Sequence, residues 1–161
     1  MLYIGDKVFY PNFGAGVVIN IEEKEVYGKV NRYYVIRLLN DIVTMVPINN
    51  KESKGIRNCI GYDECRDALK IFESKPREIK GKWLDRYKLY TRAIKQGDFI
   101  DLCIVLNDMI GLRETRKVSK SEEKFFNDIL DMVAEEISLV LNLDIERVRK
   151  SLELKVKLLI K

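Results

Sequence analysis

The sequence contains no histidine. That removes the side chain most often used as a general base near neutral pH, and the commonest metal ligand. Any catalysis would have to run on carboxylates or lysines alone. Cysteine is scarce. Cys59, Cys65 and Cys103 are odd in number and form no CxxC pair, so a disulfide framework and a zinc site are both poorly supported. Reduced, buried thiols are the plainer expectation. No apolar run approaches the roughly 20 residues that a membrane span needs. The opening Met1-Leu2-Tyr3-Ile4-Gly5-Asp6 lacks the basic and apolar blocks of a signal peptide. A cytoplasmic chain without membrane contact is expected.

Nucleotide and nucleophile motifs are absent too: the sequence has no GxxxxGK(S/T), no GxGxxG and no GxSxG. Gly14-Ala15-Gly16 lies between predicted strands and cannot present a helix N-terminus to a phosphate. Paired carboxylates such as Glu135-Glu136 fall on a predicted amphipathic helix and read as its solvated face. No cofactor and no small-molecule substrate is expected, and an enzyme is the least favoured class.

What the chain does have is a globular composition, with 47% apolar and 34% charged residues over 161 positions. That suffices for one compact domain or two small ones. Two halves differ in periodicity. Lys7 to Tyr10, Gly14 to Glu25, Tyr33 to Leu38 and Ile42 to Val46 are rich in β-formers. Turn signals separate them at Pro11-Asn12-Phe13-Gly14, at Tyr27-Gly28-Lys29 and at Asn40-Asp41. Four short strands in about 50 residues fit a small, bent antiparallel sheet of the SH3 or Tudor type.

After about residue 60 the spacing becomes helical. Helices are expected from near Asp63 to Glu73 and from Arg77 to Lys95. A third is expected from near Phe99 to a stop at Gly111, and a fourth behind Ser119-Lys120-Ser121-Glu122, which has the capping-box pattern. A last helix should run from near Ile145 toward Lys161. The fold class is therefore α+β. A barrel-like antiparallel domain over residues 1–55 precedes an all-α bundle over residues 60–161.

Charge is unevenly spread. Residues 1–74 balance 10 basic against 10 acidic residues, whereas residues 75–95 set eight basic residues against Glu78 and Asp85. A local excess of this kind suits a polyanion contact, although a solvated helix face would look the same. Within it sits Trp83, the only tryptophan, flanked by Lys82 and Arg86. Such a residue is either a core or interface anchor or an exposed ring that stacks on a base or wedges into a base step. Lys88, Arg92 and Lys95 follow at helical spacing and can form a ridge that touches phosphates without sequence choice. In the β half, a sheet edge can accept a partner strand, with Lys24, Glu25 and Arg37 setting charge complementarity. Each of these also reads as an ordinary exposed strand residue.

At this point the sequence resembles the CarD/CdnL family of bacterial RNA polymerase-binding transcription regulators. Gly5-Asp6-Lys7-Val8-Phe9-Tyr10-Pro11-Asn12-Phe13-Gly14-Ala15-Gly16-Val17 is similar to the family's opening pattern. Val46-Pro47-Ile48-Asn49-Asn50, Gly55-Ile56-Arg57, Trp83-Leu84-Asp85-Arg86-Tyr87-Lys88, Gly97-Asp98 and the stretch from Leu112 to Lys124 follow in the family's order. The resemblance implies that the Tudor-like domain, a module shared with the transcription-repair coupling factor, binds the polymerase β subunit. It implies that the helical domain touches promoter DNA at the upstream edge of the bubble. There Trp83 would wedge into the minor groove and Lys88 would contact backbone, stabilising the open complex.

DNA contacts are thus expected from Trp83, Lys82, Arg86, Lys88, Arg92 and Lys95. Polymerase contacts are expected from Lys24, Glu25, Arg37, Met45 and Pro47. Met45 stands where the family often has a basic residue, which makes that contact less electrostatic. The protein is expected to be a monomer located at the nucleoid through polymerase. The alternative is an adaptor that binds polymerase or another protein with no functional DNA contact.

Overall fold

The computed structural model describes residues 1–48 and 55–155. They form two compact units, Met1–Cys59 and Ile60–Lys161. The first unit is a five-stranded antiparallel sheet: β1 (Lys7–Tyr10), β2 (Gly14–Val26), β3 (Lys29–Leu38), β4 (Val43–Pro47) and β5 (Arg57–Asn58), in the order β4-β3-β2-β1-β5. The Tyr27-Gly28 bend has positive φ at both residues, which matches the right-handed twist of the strands it joins. Pairing therefore continues to Lys29, and β3 starts four residues earlier than its run of β-formers suggests.

Leu2, Val8, Val18, Tyr34, Ile36, Leu38 and Val46 are buried together on one face of the sheet. The Tyr34 hydroxyl accepts a hydrogen bond from the backbone N–H of Leu2 at 3.2 Å, closing the N-terminal segment over this core. β5 was not expected from the sequence. Its two residues are too short to carry a pattern, and the strand exists because β1 offers a free edge, with Arg57 stacked 4.6 Å from the Phe9 ring centre. Asn49 and Asn50 lie outside the described residues.

The second unit is helical. It comprises α1 (Tyr62–Ala68) running into a 3-10 turn (Leu69–Glu73), then α2 (Trp83–Gln96), α3 (Phe99–Thr115), α4 (Lys120–Leu141) and α5 (Ile145–Glu153). Asp98, Ser119 and Asp144 cap α3, α4 and α5 by accepting backbone N–H bonds from Asp101, Glu122 and Arg147. The last helix, expected to run toward Lys161, ends at Glu153, where the chain enters a turn with Lys155 at positive φ; residues 156–161 fall outside the described residues. Tyr90, Leu102, Leu106, Met109, Phe126, Ile129, Leu130 and Ile137 form the centre of the bundle. Each such side chain contributes about 1.5–3 kcal/mol by leaving water. Arg113 ties three helices together. It pairs with Glu123 at 2.8 Å and Glu153 at 3.5 Å while its guanidinium stacks 3.9 Å from the Phe126 ring.

Three further expectations are corrected here. The second helix starts at Trp83, not Arg77, because the segment before it is held extended by side-chain contacts described below. The third helix runs through Gly111 to Thr115. Gly111 is not a stop but a notch, since a Cβ there would lie 2.5 Å from Cβ of Pro76. Glu136 is not a solvated-face residue. It is fully buried, and its carboxylate accepts the backbone N–H of Ile60 at 2.8 Å. That donor lies at the entry to α1, whose N-cap Gly61 has no side chain to offer. Burial, with the Glu136 charge adding to it, pushes the Cys65 thiol up to about 12, so that cysteine stays protonated and unreactive.

Candidate nucleic-acid and protein interfaces

The segment 74–82 delivers α2 to its place. Pro76 fills the Gly111 notch. Arg77 then closes on Asp108 of α3: its backbone N–H donates to Oδ1 at 2.8 Å, while Nε and Nη2 donate to Oδ2 at 3.0 and 2.8 Å. Asn107 Nδ2 donates to the Ser74 carbonyl at 3.3 Å. Asp108 is buried, and its bond and charge hold the Arg77 guanidinium above its usual pKa.

The chain turns sharply at Gly81, whose φ is +103° and where a Cβ would meet the Asp85 carboxylate at 2.8 Å. Asp85 in turn accepts the backbone N–H of Lys82 at 3.0 Å. The result is a helix that begins abruptly, with Trp83 as its first residue.

Trp83 is 37% exposed. Its ring centre lies 6.0 Å from Tyr87 and 6.2 Å from Phe125, and the Arg86 guanidinium stacks 5.8 Å from it. Leu84 is 60% and Tyr87 is 44% exposed. The tip of α2 is therefore an apolar, aromatic projection with the exposed Lys82 beside it. Trp83 is both an anchored ring and an exposed one, so the two readings of it as core anchor or projecting ring were not exclusive.

Arg86 departs from its expected role as an exposed phosphate contact. Its side chain is 11% exposed, and that of Glu122 is 3%. Nε and Nη2 donate to the two carboxylate oxygens of Glu122 at 2.7 and 3.1 Å, and Nη1 donates to the Gly81 carbonyl at 3.1 Å. The Tyr90 hydroxyl donates to the same carboxylate at 2.7 Å. Burial alone would raise the Glu122 carboxyl; the bonds from Arg86 and Tyr90 outweigh it and hold the group below its usual range. Burial, with the Glu122 carboxylate adding to it, pushes the Tyr90 phenol up. Only half of the expected capping box forms. Ser119 accepts the Glu122 N–H at 3.1 Å, but the Glu122 side chain is committed to Arg86.

Lys88, Arg92 and Lys95 are exposed, and none forms an ion pair among the described residues. At ~100° per residue they lie about 120–180° around the helix axis from Trp83. The ridge and the aromatic tip therefore point in different directions, and only Lys82 shares the tip.

In the β unit, register decides which residues share a face. The pairs Lys24↔Asn31, Val35↔Met45, Arg37↔Val43 and Tyr33↔Pro47 put Lys24, Arg37, Met45 and Pro47 on the face opposite the core. Glu25 pairs with Val30 and lies on the other face. Arg37 pairs with the 51%-exposed Val43 of edge strand β4, Met45 follows two residues along that strand, and Pro47, opposite Tyr33, lies about 13 Å from Arg37. Lys24 is about 20 Å from Arg37, near the hairpin end. Nothing in the residue pattern marked Val43 at this edge or Glu122 beneath the tip. A Val in a strand and a Glu at a cap position look ordinary until the partners are known.

Two family models match the chain: CarD-like/TRCF RID domain over residues 2–60, and CarD, C-terminal domain, over residues 67–153. The chain is 28% identical over 141 residues to "Putative transcription factor YdeB" of Bacillus subtilis (strain 168), covering 87% of this chain and 92% of that protein. With both units matched in order by models of one family, this chain belongs to the CarD family of transcription regulators.

Proposed function

We propose that this chain bridges RNA polymerase and promoter DNA without catalysing a reaction. The β unit, within residues 1–55, docks on the polymerase β subunit, and the helical unit, within residues 60–161, engages DNA at the upstream edge of the bubble. The observation that carries the DNA half is the tip of α2: a lone indole, 37% exposed, braced from below and flanked by Lys82. A braced apolar ring is what insertion between base steps requires, and neighbouring cations hold the phosphates. Lys88, Arg92 and Lys95 touch backbone on another side of α2, and Arg86 serves the tip from inside.

The mechanism is differential binding. A ligand shifts an equilibrium only by its preference for one state. An indole that fits the distorted junction between duplex and melted DNA, and fits closed duplex poorly, favours the open complex. Docking on polymerase raises the local concentration of the tip at that junction, so weak DNA affinity suffices.

For the polymerase half, the face bearing Arg37, Met45 and Pro47 at a sheet edge supports pairing with a partner strand. Met45 makes this contact apolar, with Arg37 supplying the charge. Lys24 touches the partner's periphery, and Glu25, on the opposite face, does not join this contact.

The test is co-sedimentation with polymerase. Wild type and Trp83→Ala bind equally, whereas Arg37→Glu binds at least about tenfold more weakly. Equal binding by Arg37→Glu would refute the assigned face. Wild-type binding to polymerase with no effect of the protein on bubble DNA would favour the adaptor.

A further inference from the structure

Resting on the DNA reading above, we infer that Glu122 is a positioning residue for Trp83, acting through the Arg86 guanidinium that its carboxylate clamps against the indole. The Arg86 guanidinium lies over the Trp83 ring at 5.8 Å. All three of its nitrogens donate: Nε and Nη2 to Glu122, and Nη1 to the Gly81 carbonyl. The cation is thus held in one plane. Its anchor belongs to the first turn of α4, 36 residues away in sequence, and that turn is itself fixed by the Ser119 cap. Three residues on from Glu122, Phe125 supplies the ring that supports the indole from the other helix. The same short stretch of α4 therefore provides both the clamp and the backstop.

Stability does not account for this choice of residues. A buried ion pair is about as stable as a well-packed apolar substitute, because desolvation offsets the attraction. What a bidentate guanidinium–carboxylate pair adds is a fixed orientation. The cap of α4 does not use the Glu122 carboxylate either, since only its backbone N–H bonds to Ser119. A clamped indole loses little rotamer freedom when it inserts, whereas a loose one loses it at each insertion.

Trp83 is the only tryptophan, so fluorescence of the full-length protein, excited at the red edge beyond tyrosine absorption, reports this ring alone. Glu122→Gln keeps an acceptor for Tyr90 but breaks the two-point clamp. Arg86→Lys keeps the charge but loses the planar fork. Both variants are compared with wild type for thermal melting, acrylamide quenching and emission anisotropy, and with wild type and Trp83→Ala for open-complex lifetime with polymerase. The expected result is a folded protein with more quenching and lower anisotropy in both variants, and an open-complex lifetime shortened about two- to tenfold. Adding Trp83→Ala to Glu122→Gln shortens it no further than Trp83→Ala alone. Unchanged quenching and anisotropy in folded Glu122→Gln and Arg86→Lys overturn the positioning role, as does an additive loss in the double variant. If Trp83→Ala itself leaves the lifetime unchanged, the DNA reading fails, and the positioning of the ring is judged by quenching and anisotropy alone.

Discussion

Replacing Gly111 with alanine should destabilise the helical unit, against the ordinary rule for a helix interior. In an exposed helix the change stabilises by about 1 kcal/mol, because alanine restricts the unfolded chain more and shields the backbone. Here the new Cβ would stand 2.5 Å from Cβ and 3.0 Å from Cγ of Pro76. Carbon atoms in contact sit about 3.5–4.0 Å apart, so a shift of about 1 Å is required. The proline ring has no rotamer that clears the space. The residue after it is clamped to Asp108 by three hydrogen bonds. Overpacking of this kind costs about 1–3 kcal/mol. A shift of about 1 Å against a ring fixed in this way falls in the upper part of that range, about 2–3 kcal/mol, and the propensity gain of about 1 kcal/mol leaves a net loss of about 1–2 kcal/mol. In a unit of this size that corresponds to a Tm lower by about 5–15 °C. Urea unfolding followed by circular dichroism reads the change directly. A variant as stable as wild type, or more so, would refute the claim that segment 74–82 is seated rigidly on α3.

Two further outcomes follow from the charged groups. Glu122 is held below its usual pKa, so its contribution is present above the unfolded-state value near 4.5 and is lost as pH falls through the lower folded value. Glu122→Gln should therefore flatten the acid limb of a stability-versus-pH curve below about pH 5 relative to wild type, and parallel curves for the two proteins would contradict this. Neutralising Lys88, Arg92 and Lys95 together should lower DNA affinity similarly on all sequences. It should also reduce the slope of log K against log salt by up to about 3, at ~0.9 per lost phosphate contact. A salt slope equal to wild type would place the ridge away from DNA.

Much of the fold was legible because its signals are local. Ser119, Asp98 and the Tyr27-Gly28 bend act within three or four residues, so their effect shows in the sequence itself. What was not legible depends on partners far along the chain. Arg77 looked like the start of a helix, yet Asp108, 31 residues on, holds it outside one. Gly111 looked like a stop, yet it exists to admit Pro76. Glu136 looked solvated, yet a backbone N–H 76 residues earlier takes it inside.

The candidate site divides the same way. The exposed ring among cations was visible as Trp83 within a basic run. Periodicity could also have separated the ridge from the tip, since both sit on one helix. That Arg86 faces inward could not be read, because its carboxylate partner lies on another helix behind a loop. Likewise, Arg37, Met45 and Pro47 share a face through the β3–β4 register, and Lys24 joins that face only because of a bulge between Val18 and Asn20.

The most direct measurement is the dissociation half-life of a polymerase–promoter open complex with saturating wild-type protein, with Trp83→Ala, and with none. The account predicts that the wild type prolongs the half-life while Trp83→Ala, bound to polymerase as tightly, gives a value close to that without protein. A half-life with Trp83→Ala equal to that with wild type would contradict it.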